Sequence, residues 1–176
     1  LTIDQYLQHV AERELRAGVD AAGAAGGSVV VMDPRTGEIL ALANAPTFNP
    51  NAYREHQDDE RRNRAVQDLY EPGSTFKIVT AGAALDDRLF APDSPVETGP
   101  GRIRFGARVI DEDRGHNYGL LTFTDVIVKS SNVGAVKVGL TLGPARMGSY
   151  VRRFGFGRRA SPDFPAESPG IVWSAE

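Results

Sequence analysis

Two short groupings in this chain hold chemically useful side chains at spacings that could bring them together. In Glu71-Pro72-Gly73-Ser74-Thr75-Phe76-Lys77 the Pro-Gly pair breaks the chain, so Ser74 is expected to open a helix. Its hydroxyl then sits where unpaired backbone N–H groups and the positive end of the helix dipole can stabilise a developing oxyanion. Lys77, three residues on, falls on the same face one turn above. Serine at its free pKa is a poor nucleophile and needs a neighbouring base. Lysine fills that role only when burial or a nearby positive charge brings its pKa down from about 10.4 toward neutrality. The competing reading is an N-cap serine followed by a surface lysine. Apolar Phe76, Ile78 and Val79 around Lys77 count against it, and with nine serines and three lysines in 176 residues a chance S-x-x-K is uncommon.

The second grouping is Ser130-Ser131-Asn132. A hydroxyl beside a Ser/Lys pair can relay a proton to a leaving amine, and a carboxamide can hold a substrate amide by donor and acceptor together. Alone, S-x-N equally describes Ser and Asn capping a helix.

The elements that must position these residues are partly readable. Thr2 is the expected N-cap of a first helix, with Gln5 completing a capping box. Ile3, Tyr6, Leu7, Val10, Ala11 and Leu15 share one stripe, Gly18 offers a stop, and 21–27 is a small-residue linker. Residues 28–32 and 38–43 read as a hairpin around the turn Asp33-Pro34-Arg35-Thr36-Gly37. The stretch 44–53 is loop, and the mixed-charge run 56–64 reads as a solvated face. A helix is expected from near Ser74 to about Leu85, while 91–106 is broken by Pro and Gly. Two short helical pieces, 124–129 and 133–142, flank Ser130-Ser131-Asn132, and the tail 161–170 carries three prolines and reads as loop.

Composition narrows the chemistry. The 176 residues are 41% hydrophobic and 24% charged with a net charge of −3, which argues for a globular chain and against nucleic-acid binding. There is no cysteine, so disulfides, thiol nucleophiles and Cys-ligated metal centres are excluded. Lysine occurs only at 77, 129 and 137. His9, His56 and His116 lack ligand spacing, and Asp111-Glu112-Asp113 lacks the alternation and Gly of a calcium loop, so no metal is expected. No apolar run approaches the roughly 20 residues of a bilayer span, no signal peptide is visible, and a start at Leu1 suggests a cut-out or processed piece.

Ser74-x-x-Lys77 and Ser130-x-Asn132 are two of the three elements shared by serine β-lactamases and penicillin-binding proteins. The longer strings Arg61-Arg62-Asn63-Arg64-Ala65, Glu71 to Lys77 and Lys129-Ser130-Ser131-Asn132-Val133-Gly134 resemble the transpeptidase domain of class B penicillin-binding proteins. So do the Asp33 to Glu38 turn and Phe154-Gly155-Phe156-Gly157, and the likeness runs in order along nearly the whole chain. The resemblance implies an α+β fold: an antiparallel sheet flanked by helices, plus a helical subdomain, incomplete here. Within 1–176 it places the N-terminal helix and hairpin at 1–44 and the S-x-x-K helix with the helical subdomain at about 66–160.

The resemblance implies a D,D-transpeptidase that cross-links peptidoglycan through a serine acyl-enzyme. Ser74 would be the nucleophile, Lys77 the general base, Ser130 the proton shuttle and Asn132 the substrate-amide contact. Peptidoglycan stem peptides would be the substrates and β-lactams would trap Ser74, with no cofactor. A glycosyltransferase and other division or elongation proteins would be partners. The parent would be membrane-anchored on the extracytoplasmic face of the bacterial cytoplasmic membrane. One departure stands out: the family's third element, K-[ST]-G on a strand, follows none of the three lysines. The C-terminal strands are expected to be absent and the fragment poorly active alone, with an exposed sheet edge and an uncovered apolar face on the hairpin. Two other readings stay open: a serine β-lactamase or β-lactam sensor, which needs a base for water, and a non-catalytic scaffold piece of a cell-wall synthesis complex.

Overall fold

The computed structural model describes residues 1–161, 163–164 and 166–173. They form two compact units, one of Leu1–Leu69 with Arg159–Ser168, the other of Tyr70–Arg158 with the segment from Pro169 on.

In the first unit helix α1 spans Gln5–Ala22. Its N-cap is Asp4, not Thr2: the Asp4 carboxylate accepts from the Leu7 N–H at 2.9 Å, and a short anion at that position also meets the positive end of the helix. Thr2 instead donates its hydroxyl to the Ile39 carbonyl at 2.6 Å. The helix runs through Gly18 and ends at Gly23, whose φ of +58° is the left-handed C-cap conformation that glycine adopts without penalty. Leu7, Ala11 and Leu15 pack on Ala41, Ala43, Val29 and Val31 of the hairpin. Strands β1 (Gly27–Met32) and β2 (Ile39–Ala45) pair antiparallel, Gly27 opposite Ala45, with an irregularity between Val31 and Met32. Val30 and Met32 alternate onto the other face and are 46% and 51% exposed.

The mixed-charge run is not simply a solvated face. The Arg61 and Arg64 side chains are largely buried; Arg64 pairs with Asp59 and Asp68, and the Arg61 guanidinium lies 4.1 Å over the Tyr53 ring. Long aliphatic stems bury while each guanidinium keeps a partner. The short helix α2 (Arg64–Gln67) follows from this run.

In the second unit the chain enters a 3-10 turn at Gly73–Phe76 and continues as α3 (Lys77–Asp86). Short strands follow in two antiparallel pairs: β3 (Pro95–Glu97) with β6 (Leu120–Thr122), and β4 (Arg102–Phe105) with β5 (Arg108–Asp111). Helix α4 (Phe123–Val128) opens on a capping box between Thr122 and Asp125. Helix α5 spans Asn132–Arg153 as two helical stretches: the first ends at Leu142, as expected, Gly143 leaves helical geometry at φ +75°, and Pro144 opens the second. Val79, Ala83 and Ala84 of α3, Phe123 and Val126 of α4, and Val138 and Leu142 of α5 share one core. The Tyr150 hydroxyl lies 2.7 Å from both the Asp86 and Asp87 carboxylates, tying α5 to the end of α3. Those two carboxylates, Asp86 first, push the phenol pKa up to about 12.

Of the tail's prolines, Pro162 and Pro165 lie outside the described residues; the described remainder of 161–170 has no helix or strand. Among the described residues no helix is long and apolar enough to cross a membrane.

Candidate active site

All four residues singled out from the sequence lie in the second unit, and the structure brings them together around one amine. Ser74 stands on the 3-10 turn, exposed, just ahead of α3. Lys77 is the first residue of α3 and half-buried. Its Nζ lies 3.2 Å from Ser74 Oγ, 2.9 Å from Ser130 Oγ, 2.5 Å from the Ser130 carbonyl oxygen and 2.8 Å from Asn132 Oδ1. Burial pulls the Lys77 pKa below its ordinary value, opposed in part by the negative charge of Glu112. The other two lysines stand elsewhere: Lys129 lies over the Tyr118 ring at 5.6 Å, and Lys137 donates to the Glu97 carbonyl.

The short link between α4 and α5, together with the first residue of α5, carries the remaining polar groups. Ser130 takes φ +53°, a left-handed conformation rare for a residue with a side chain. That turn aims both its hydroxyl and its carbonyl at Lys77. Ser131, fully buried, is the N-cap of α5 and accepts from the Gly134 N–H at 2.9 Å. Asn132 opens α5; its Oδ1 accepts from Lys77 and its Nδ2 donates to the Asp111 carbonyl at 3.0 Å. One further acceptor site on Oδ1 and one further N–H on Nδ2 remain for a second amide.

Glu112 was not among the residues read from the sequence. It is 3% exposed, and its carboxylate accepts from Ser131 Oγ at 2.5 Å, Asn132 N at 2.7 Å and Val133 N at 3.3 Å. Nothing in an acidic run between two short strands marks one carboxylate for burial. Beside the site lies a cavity of about 570 Å³, touched by Lys77 and Asn132 and walled by Ile110, Val136, Leu140 and Met147. Among the described residues no cluster of His, Asp and Glu is gathered to hold a metal ion.

The sequence matches the model of the penicillin binding protein transpeptidase domain over residues 27–175. The chain belongs to that family. Among its relatives, the penicillin-binding protein PbpB of Mycolicibacterium smegmatis is 38% identical over 173 residues, 98% of this chain and 26% of the relative. The peptidoglycan D,D-transpeptidase FtsI of Escherichia coli is 37% identical over 171 residues, 97% of this chain and 28% of FtsI. Among solved structures, a peptidoglycan glycosyltransferase from Burkholderia ambifaria superposes with a TM-score of 0.86 at 36% identity, covering 98% of this chain and 50% of that one. The transpeptidase domain of Burkholderia pseudomallei penicillin-binding protein 3 gives 0.85 at 34% identity, covering 98% and 47%. The family resemblance and the α+β fold read from the sequence are thus borne out. The chain spans only about half of these solved structures, and 26–28% of these two curated relatives.

Proposed function

We propose that the Ser74 site is the acylation centre of a peptidoglycan D,D-transpeptidase. Ser74 Oγ attacks the carbonyl carbon of the D-Ala-D-Ala bond at the end of a stem peptide. The O–C bond forms, the C–N bond breaks, and the terminal D-Ala leaves. The Ser74 proton passes to Lys77 and, through the Ser130 hydroxyl, to the leaving amine. An amine of a neighbouring stem then attacks the ester, returning the proton by the same groups and leaving a cross-link. Asn132 holds the substrate amide. The observation that carries this reading is the Lys77 amine, within 3.2 Å of Ser74 Oγ and 2.9 Å of Ser130 Oγ, with its pKa lowered by burial. Relatives named as peptidoglycan D,D-transpeptidases support it.

The relatives run well beyond the matched stretch, and we infer that 1–176 is the N-terminal part of a transpeptidase domain whose remaining strands supply the K-[ST]-G element. That strand would place a cation at the substrate carboxylate and the second oxyanion N–H. One such donor is worth about 10²–10³ in rate, so the chain alone should react slowly. In the proposed setting the enzyme works at the extracytoplasmic face of the membrane with a glycosyltransferase and other division or elongation proteins.

The β-lactamase reading needs a carboxylate free to activate water on the ester. Glu112, the buried carboxylate that packs against this loop, is taken up by three donors of residues 131–133. The test is turnover of a synthetic pentapeptide ending in D-Ala-D-Ala, with an acceptor amine, by a polypeptide continued past residue 176 to the length of the relatives. A tetrapeptide joined through its new C-terminal carbonyl to the acceptor amine, with release of D-Ala, supports transpeptidation. Release to water alone with rapid penicillin turnover supports the hydrolase, and neither activity in a folded protein leaves the scaffold.

A further inference from the structure

The catalytic reading leaves unexplained why a carboxylate is buried beside the Ser130-Ser131-Asn132 link. We propose that Glu112 is the positioning residue of this site, a clamp that fixes the link so that Ser130 and Asn132 face Lys77. The proposal rests on the reading of Ser74 as nucleophile and Lys77 as base, and adds a residue to it.

A buried carboxylate is costly unless its lone pairs are filled. Here all three hydrogen bonds given to the Glu112 side chain come from three consecutive residues, Ser131, Asn132 and Val133, at the N-terminal end of α5, where the helix dipole adds to the stabilisation. Its neighbour Asp111 uses its backbone carbonyl to hold the Asn132 side chain. The last residue of β5 and the one after it therefore grip Asn132 at side chain and backbone together. The residue just ahead of that grip is Ser130, held at φ +53°, and its carbonyl and hydroxyl both meet Lys77. Releasing the clamp would let Ser130 relax toward ordinary backbone geometry and carry two of the four acceptors away from the amine. A displacement of about 1 Å in such a set can cost about 10²-fold in rate.

The charge has a second effect that separates positioning from mere stability. Glu112 opposes the burial-driven fall of the Lys77 pKa. The other ionised groups of the neighbouring elements are engaged elsewhere: Asp111 with Arg102, Asp113 with Arg114, Lys129 over Tyr118, Lys137 on the Glu97 carbonyl, and Asp125 in the α4 cap. His116 stacks on Tyr118. Acylation needs neutral Lys77, so its rate rises with pH through the Lys77 pKa. Removing the Glu112 charge lowers that pKa further and moves the rising limb to lower pH.

The experiment measures the second-order rate of penicillin acylation against pH for the wild type, Glu112→Gln and Glu112→Asp, in a polypeptide continued to the length of the relatives, with folding checked by circular dichroism. Glu112→Gln is expected to lose about 10²-fold in rate and to shift its rising limb to lower pH. Glu112→Asp keeps the charge but is one methylene short, and is expected to lose rate with its limb unmoved. Rates within twofold of wild type in both variants, or an equal loss at every pH in Glu112→Gln, would overturn the proposal. Should Glu112→Gln fail to fold, Glu112→Asp decides: a wild-type rate there overturns it. A wild type that is never acylated would instead defeat the Ser74 reading itself.

Discussion

The Nζ of Lys77 lies 2.8 Å from Oδ1 of Asn132, joining the first residue of α3 to the first residue of α5. That contact, with those to Ser74 and to the Ser130 carbonyl and hydroxyl, offers the amine four oxygen partners. A protonated lysine has three N–H donors and can satisfy at most three of them. A neutral one can donate to Asn132 and the Ser130 carbonyl while its lone pair receives the Ser74 hydroxyl proton. The arrangement thus suits both states that a general base must visit.

The first prediction concerns the proposed role of Lys77 as that base. Lys77→Arg places a permanently charged group at the site and is expected to slow penicillin acylation by about 10²–10⁴-fold. In the wild type, burial lowers the Lys77 pKa, so the acylation rate should climb with pH through a midpoint below the ordinary lysine range. Stopped-flow acylation from pH 6 to 10 checks both; a midpoint at or above about 10.4 would count against a base made by burial.

Stability should depend on the buried cap. Ser131→Ala removes the acceptor for the Gly134 N–H and one donor to Glu112, at a cost of about 2–3 kcal/mol. Urea unfolding measures it, and a loss under about 0.5 kcal/mol would mean the link is not held this way.

Gly134 tests the close approach of α4 and α5. A Cβ there would stand 2.7 Å from Val126 Cγ2 and 2.8 Å from Ser131 Oγ, both buried, so something must shift. Gly134→Ala is expected to destabilise by about 1–3 kcal/mol, read from the same unfolding curves, and to slow acylation by disturbing the Ser131 cap.

Some of this was legible in the residues themselves and some was not. Ser74, Lys77, Ser130 and Asn132 could be singled out because each type has a chemical use and the Pro-Gly break announces the helix start. The hairpin followed from alternating apolar residues around a strong turn. The strands β3 and β6 could not be read: they are three residues each, and Pro95 pairs with Thr122, a partner that local pattern does not reveal. The first helix cap went to Asp4 because a carboxylate was available two residues after the threonine, whose hydroxyl found a strand carbonyl instead. Glu112 was hidden for a deeper reason. Its burial is decided by donors 19 to 21 residues away, and an acidic run looks solvated until its partners are placed.

The hairpin makes a separate prediction. Val30 and Met32 stand half-exposed on the face away from α1. The double change Val30→Thr and Met32→Lys should reduce aggregation of the chain, measured by light scattering on warming, while leaving its secondary structure unchanged by circular dichroism. Unaltered aggregation would show that this face is not the sticky one.

The most direct measurement is intact-mass spectrometry after incubation with a penicillin, on the chain, on a polypeptide continued to the length of the relatives, and on the Ser74→Ala variant of the latter. The expected result is a persistent adduct of one penicillin on the longer wild type, little on the chain alone, and none on Ser74→Ala. A folded longer protein without an adduct, or an adduct that survives Ser74→Ala, would contradict Ser74 as the nucleophile.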